Sequence, residues 1–173
     1  MAIVVFDSSR PKGNTRALVD RVFSKTPIEV IDLTQCHIHD FDYQNRHEND
    51  DFIPVMKKVI QHQDIILATP IYWYGPSASM KRFIDRFSDL LSTKKEMGRT
   101  LMGKTLHVLS TYLEPQRGKE GFEEYFEKIA WYLGMNYGHR LIYRMEADGK
   151  EKDEQEDAVE AFKETWKNES SQD

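Results

Sequence analysis

A segment rich in hydroxyl groups, Asp7–Thr15 (DSSRPKGNT), has the composition of a phosphate-binding loop. Ser8, Ser9 and Thr15 offer hydroxyls, Asn14 offers an amide, and Arg10 offers a planar cation. A segment of helical periodicity follows, and its first turn adds unpaired backbone N–H groups that attract anions. Neither the Walker A pattern nor G-x-G-x-x-G is present, so a terminal phosphate fits better than a bridging pyrophosphate. Ordinary capping of a helix would explain the same residues equally well.

A second unusual segment, Pro70–Pro76 (PIYWYGP), carries three consecutive aromatic side chains. Tyr72, Trp73 and Tyr74 could stack on a planar ligand, which is worth about 0.5–1.5 kcal/mol per pair of rings beyond burial. Gly75 lets the backbone approach a ligand closely. Packing on the sheet edge or on another subunit would explain the rings without a ligand. A phosphate at one loop and a flat ring at the next together predict a mononucleotide site, with adenine or flavin as the ring.

A third segment, Ser110–Gly121 (STYLEPQRGKEG), gives the least specific signal. It starts with Ser110, Thr111 and Tyr112 and continues with a proline and two glycines, one of them Gly118. It could line a third side of the ring pocket. It could equally form an ordinary turn before a helix.

Elements that would position these segments are visible in the hydrophobic pattern. Short β-branched runs alternate with segments of helical period, which predicts five strands, at 2–6, 28–33, 64–69, 105–111 and 136–145, and five helices. The third helix should be continuous, because Met80 to Leu91 form one apolar stripe. Such alternation predicts an α/β fold, a parallel sheet with helices on both faces. Ligands of such sheets bind beyond the carboxyl ends of the strands, where the three segments above would meet.

Length and composition exclude several classes of protein. The 173 residues predict one domain over 1–168, with 169–173 as a frayed tail. A net charge of −5 argues against a nucleic-acid partner. The single cysteine excludes an internal disulfide and fits a reducing, cytoplasmic location. The opening apolar run is too short for a signal peptide, and no run approaches the ~20 residues of a membrane helix, so no membrane association is expected.

Possible metal ligands are grouped in Gln35–Asp40 (QCHIHD), which contains Cys36, His37 and His39. No second pair of ligands follows at a spacing typical of zinc sites. We therefore predict no metal site.

Two segments, SSRPKGNT at 8–15 and TPIYWYGPSASMKRFIDRF at 69–87, resemble the NAD(P)H-dependent FMN reductases and the related flavodoxin-like quinone reductases. The matching residues are Ser8, Arg10, Gly13, Asn14, Thr15, Thr69, Pro70, Tyr72, Met80, Lys81, Phe83, Asp85 and Arg86. The resemblance implies a flavodoxin-like, doubly wound five-stranded sheet of order 2-1-3-4-5. It also implies that FMN is bound by Ser8, Arg10, Asn14, Thr15, Pro70, Ile71, Tyr72, Trp73, Tyr74, Gly75, Ser110, Thr111, Tyr112 and Gly118.

The same resemblance implies an activity. Bound FMN would take a hydride from NAD(P)H and reduce a small electrophilic acceptor such as a quinone or a flavin, with ping-pong kinetics and no dedicated catalytic residue. Such enzymes are commonly homodimers or homotetramers. Iron–sulfur chemistry, found in one branch, is excluded because Cys36 is the only cysteine. Two alternatives stay open: a flavodoxin-type electron carrier that binds FMN without NAD(P)H turnover, and a flavin-free regulatory module.

Overall fold

Five parallel strands form one sheet in the order β2-β1-β3-β4-β5. The computed structural model describes residues 1–113, 119–147 and 149–167. The strands are β1 (Ala2–Phe6), β2 (Glu29–Asp32), β3 (Asp64–Pro70), β4 (Thr105–Tyr112) and β5 (Asn136–Arg144). Each agrees with its predicted bounds to within one residue at either end. Because β2 and β3 lie on opposite sides of β1, the winding reverses between β1 and β3, which opens a crevice at their carboxyl ends. The predicted fold class and strand order are confirmed.

The described residues form seven α-helices, two more than predicted. They are α1 (Asn14–Val22), α2 (Phe52–Val59), α3 (Ala78–Asp85), α4 (Phe87–Leu91), α5 (Lys95–Arg99), α6 (Lys119–Tyr132) and α7 (Gly149–Lys167), and a short 3-10 helix spans Leu33–Gln35. The prediction of one continuous third helix was wrong, because the chain breaks at Arg86 between α3 and α4. No helix within the described residues is long and apolar enough to cross a membrane.

Side chains of β1 alternate between two hydrophobic cores, one on each face of the sheet. Ile3 and Val5 belong to the core that packs against α2, α3, α4 and α6. Val4 and Phe6 belong to the core that packs against α1 and α7. Helices therefore cover both faces, as a parallel sheet requires.

A buried ionic cluster surrounds Arg86, the residue at which the helix breaks. Its guanidinium donates to Asp89 at 2.8 Å, to the carboxylate of Asp50 and to the carbonyl of His39 at 3.2 Å, and it lies 4.9 Å from the ring centre of Phe52. Burial opposes the charge on Asp50, but the hydrogen bonds from Arg86 and from backbone N–H groups outweigh it and lower the pKa of that carboxyl. The cluster fixes the long segment between β2 and α2 against the start of α4.

Candidate functional site

A cavity of about 500 Å³ opens at the carboxyl edge of the sheet, in the crevice between β1 and β3. Its volume is within the range of small-molecule sites. Residues from the ends of β1, β3, β4 and β5 line it: Ser8, Ser9, Arg10, Gly13, Asn14, Thr15, Pro70, Ile71, Tyr72, Thr111, Tyr112, Leu113 and Met145. The hydroxyl-rich segment and the start of the aromatic segment therefore face the same space.

The hydroxyl-rich segment turns tightly into α1. The N–H of Gly13 donates to the carbonyl of Arg10 at 2.9 Å. A Cβ at Gly13 would lie 2.8 Å from the Cβ of Arg10 and 3.0 Å from its carbonyl oxygen, so this turn requires glycine. Within the part of the chain that the structure describes, no side chain caps the start of α1, and no acidic residue lies in its first turn. The N-terminal N–H groups of α1 and their partial positive charge are thus available to an anion in the cavity.

Direct hydrogen bonds connect the three loops. The hydroxyl of Thr15 lies 2.6 Å from that of Thr111, and both residues are buried. At the mouth of the cavity, the hydroxyl of Ser9 donates to the phenolic oxygen of Tyr72 at 2.8 Å. These bonds hold the loop after β1 against the ends of β3 and β4.

The aromatic segment forms a two-residue hairpin. Tyr72 and Gly75 exchange backbone hydrogen bonds of 2.9 and 3.0 Å, and Trp73 and Tyr74 occupy the turn with φ of 48° and 66°. Such a turn needs positive φ at both central residues and normally uses Asn-Gly, so Trp73-Tyr74 carries no signal for it. The side chain of Trp73 is 93% exposed and that of Tyr74 is 58% exposed. We call Tyr72–Gly75 the aromatic hairpin.

Nine of the residues assigned to FMN line the cavity. They are Ser8, Arg10, Asn14, Thr15, Pro70, Ile71, Tyr72, Thr111 and Tyr112. Among the described residues assigned to FMN, Trp73, Tyr74, Gly75 and Ser110 lie outside its lining. Ser110 is fully buried and its hydroxyl donates to the carbonyl of Thr69 at 2.6 Å. Gly118 lies outside the described residues.

Four lining residues were not among those assignments: Ser9, Gly13, Leu113 and Met145. Met145 directly follows β5, which pairs with β4 at the edge of the sheet. Since parallel strands end at the same edge, the position after β5 was the signal that could have identified it. Beside it, burial and the charge of Glu151 raise the pKa of Tyr112, so this phenol stays neutral at physiological pH.

The histidines between β2 and α2 do contact one another. Nε2 of His37 lies 3.0 Å from Nε2 of His39, and the ring of His39 stacks on that of His47 with centroids 4.2 Å apart. Nevertheless, residues 1–113, 119–147 and 149–167 contain no group of three or more His, Cys, Asp or Glu side chains able to hold a metal ion.

Comparison with known proteins agrees with the fold. A protein family described as having a flavodoxin-like fold matches residues 2–169. A protein of Bacillus subtilis (strain 168), YwqN, provisionally named as an NAD(P)H-dependent FMN-containing oxidoreductase, is 27% identical over 144 residues, which cover 78% of this chain and 79% of YwqN.

Solved structures with the same fold include two of particular interest. The Trp repressor binding protein of Bacillus subtilis superposes with a TM-score of 0.73 at 22% identity, covering 96% of this chain and 97% of that one. General stress protein 14 of Treponema denticola, solved in complex with FMN, gives a TM-score of 0.68 at 16% identity, covering 96% and 98%. With its sheet order and with a family match that spans nearly its whole length, the chain belongs to the family of proteins with a flavodoxin-like fold.

Proposed function

We propose that the chain binds FMN in this cavity and catalyses the NAD(P)H-dependent two-electron reduction of a small electrophilic acceptor, such as a quinone or a flavin. The observation that carries the proposal is that one cavity joins the uncapped start of α1 to the aromatic hairpin. Two similar proteins support the choice of cofactor. YwqN is named as an NAD(P)H-dependent FMN-containing oxidoreductase, and general stress protein 14 was solved in complex with FMN.

The phosphate of FMN fits the α1 end of the cavity. Ser8, Asn14 and Thr15 supply neutral donors there, and Arg10 supplies a cation that can bind phosphate oxygens in pairs. The tight turn at Gly13 leads directly into the start of α1, which no described side chain caps. Charge, donors and geometry at this end therefore all favour a phosphate monoester.

The flat ring of FMN fits the other end of the cavity. Pro70, Ile71 and Tyr72 line it from β3, and Thr111 and Tyr112 line it from β4. The backbone N–H of Ile71 donates to the carbonyl of Thr111 at 2.9 Å, so this wall is fixed by the sheet itself. A wall built on strands can orient a ring more rigidly than a wall built on a loop.

FMN, when bound, supplies the acceptance and donation of hydride, and the chain supplies binding, orientation and electrostatics. The exposed rings of Trp73 and Tyr74 lie beside the cavity and offer stacking surfaces for a nicotinamide or an aromatic acceptor. Both substrates would use this same mouth in turn. We therefore expect ping-pong kinetics, and we assign no side chain to proton transfer.

The direct test is an anaerobic titration of the FMN-loaded protein with NADPH and, separately, with NADH. We expect one of them to bleach the flavin absorbance stoichiometrically, and a quinone to restore it. Arg10→Ala should lose FMN, whereas Arg16→Ala, which removes an arginine that lies outside the cavity lining and pairs with Asp20 on α1, should retain it. If neither nucleotide bleaches the flavin, the enzyme proposal is wrong and an electron carrier becomes the better explanation.

Assembly into a homodimer or homotetramer is part of the same proposal. Leu91, Met102, Trp131 and Tyr132 are large, exposed and apolar, and they border one shallow cavity of about 370 Å³. This face lies next to Gly134, at the amino ends of β4 and β5, and thus at the edge of the sheet opposite the FMN cavity. Light scattering on the wild type and on Trp131→Glu tests this assembly. We expect the wild type to be an oligomer and the introduced charge to weaken it. A monomeric wild type would contradict the proposed assembly.

A further inference from the structure

Asp7 is a buried carboxylate at the junction of the two segments that line the cavity. It directly follows β1 and is only 3% exposed. Its backbone N–H donates to the carbonyl of Ala68 on β3 at 3.0 Å, which fixes the residue between the two central strands. Burying a carboxylate is unfavourable unless hydrogen bonds compensate, so its partners indicate what it holds in place.

The partners of Asp7 lie at the far end of the aromatic segment. Its Oδ2 accepts hydrogen bonds from the hydroxyl of Ser77 and, at 3.3 Å, from the N–H of Met80. Ser77 and Met80 are the N-cap and the third residue of α3. Asp7 therefore caps α3 although it lies at the end of β1, far away in the sequence. The partial positive charge of the N-terminus of α3 favours an anion at this position. Burial raises the pKa of Asp7, and these hydrogen bonds oppose that shift.

Ser77 extends the connection to the near end of the same segment. Its N–H donates to the hydroxyl oxygen of Thr69 at 3.0 Å, and the two hydroxyl oxygens are 2.8 Å apart. Since the hydroxyl of Ser77 donates to Asp7, its oxygen can accept from the hydroxyl of Thr69 in that second contact. Thr69 and Ser77 flank the segment 70–76. Their contact closes the base of the aromatic hairpin, and Asp7 ties that base to the start of the loop Ser8–Thr15.

We propose that Asp7 is a positioning residue that sets the aromatic hairpin at its distance from the phosphate-binding loop. The inference rests on the proposed binding of FMN in the cavity. The chain from Asp7 through Ser77 to Thr69 acts on the ring end of the site, because all three residues hold the segment 70–76. Arg10, by contrast, acts on the phosphate end. Loss of Asp7 should therefore weaken ring binding whether or not the ligand carries a phosphate.

The test compares FMN with riboflavin, which lacks the phosphate, by fluorescence titration of flavin-free protein. For Asp7→Ala we expect both dissociation constants to rise by about tenfold, since hydrogen bonds to a buried charge are lost. Asp7→Asn keeps one acceptor oxygen, so both dissociation constants should rise by only about threefold. Arg10→Ala should weaken FMN alone. Asp64→Asn, which alters a carboxylate at the opposite edge of the sheet, is the control and should change neither constant.

A second measurement is independent of any ligand. Hydrogen exchange of residues 70–77 in the flavin-free protein should accelerate in Asp7→Ala and in Ser77→Ala, and the latter leaves the carboxylate in place. If Asp7→Ala does not fold, Ser77→Ala carries both tests with the same expected pattern.

Unchanged binding of both flavins together with unchanged exchange would overturn the role of Asp7. Weaker binding of FMN alone would overturn it as well, because Asp7 would then act on the phosphate. A folded wild type that binds neither flavin would instead refute the proposed function, whereas the exchange result would still test the position of the hairpin.

Discussion

Trp73→Asn should stabilise the protein while it weakens ligand binding. Trp73 has a φ of 48°, in the left-handed region, which costs an ordinary L residue roughly 1–2 kcal/mol and which asparagine tolerates far better. Its side chain is exposed, so the substitution removes little buried surface. We therefore expect the free energy of unfolding to rise by about 1 kcal/mol. The lost ring should raise the dissociation constant of FMN or of the nicotinamide by about two- to tenfold, the equivalent of one stacked pair.

Urea unfolding measures the first effect, and titrations of the same preparations with FMN and with NAD(P)H measure the second. Tyr43→Asn is the matched control, because Tyr43 is also an exposed aromatic residue but is not among the described residues with positive φ. An exposed substitution of this kind should change stability by less than about 0.5 kcal/mol. A Trp73→Asn variant that is no more stable than the wild type would refute the claim that the hairpin is strained.

Three further predictions concern the scaffold. Arg86→Ala leaves the buried carboxylates of Asp50 and Asp89 unpaired and should lower the free energy of unfolding by about 3–5 kcal/mol in urea, and a loss below 1 kcal/mol would contradict the buried cluster. Gly138→Ala places a Cβ 2.5 Å from Cε1 of His107 and should cost about 1–3 kcal/mol by the same assay, a penalty that should shrink in the double variant with His107→Ala. Burial lowers the pKa of His107 below its usual 6.5 although the hydrogen bond to Asp64 opposes this, so the unfolded chain takes up the proton first and stability should fall as pH drops below about 6.5. The dependence of stability on pH in this range should be weaker in His107→Gln. An equal dependence in that variant would show that other groups cause it.

The hydrophobic pattern was sufficient to predict the sheet, because the central strands β1, β3 and β4 are short apolar runs buried on both faces. It failed at Arg86, since a charged residue in a helical segment gives no sign that it will be buried between Asp89 and the carboxylate of Asp50, which is distant in sequence. It also missed the separate helix α5, whose sequence KEMGR carries no apolar stripe.

The predicted site residues line the cavity where residue type and sheet edge agree, as for Thr15 and Tyr72. Prediction from the sequence could not show the aromatic hairpin, because Trp-Tyr lacks the residues that normally adopt positive φ. It also could not show that the hydroxyl of Ser110 turns away to the carbonyl of Thr69, since that depends on which face of β4 the side chain occupies. The partnership of Asp7 with Ser77 spans seventy positions and requires the folded sheet.

Titration of the flavin-free protein with FMN and with riboflavin, followed by the change in flavin fluorescence, tests the central claim most directly. If the loop Ser8–Thr15 holds the phosphate and Pro70–Tyr72 hold the ring, each chain should bind one FMN, at least about tenfold more tightly than riboflavin, because charge-assisted phosphate contacts are strong. The preference should disappear in Arg10→Ala. A folded protein that binds no FMN, or that binds riboflavin equally well, would contradict the account.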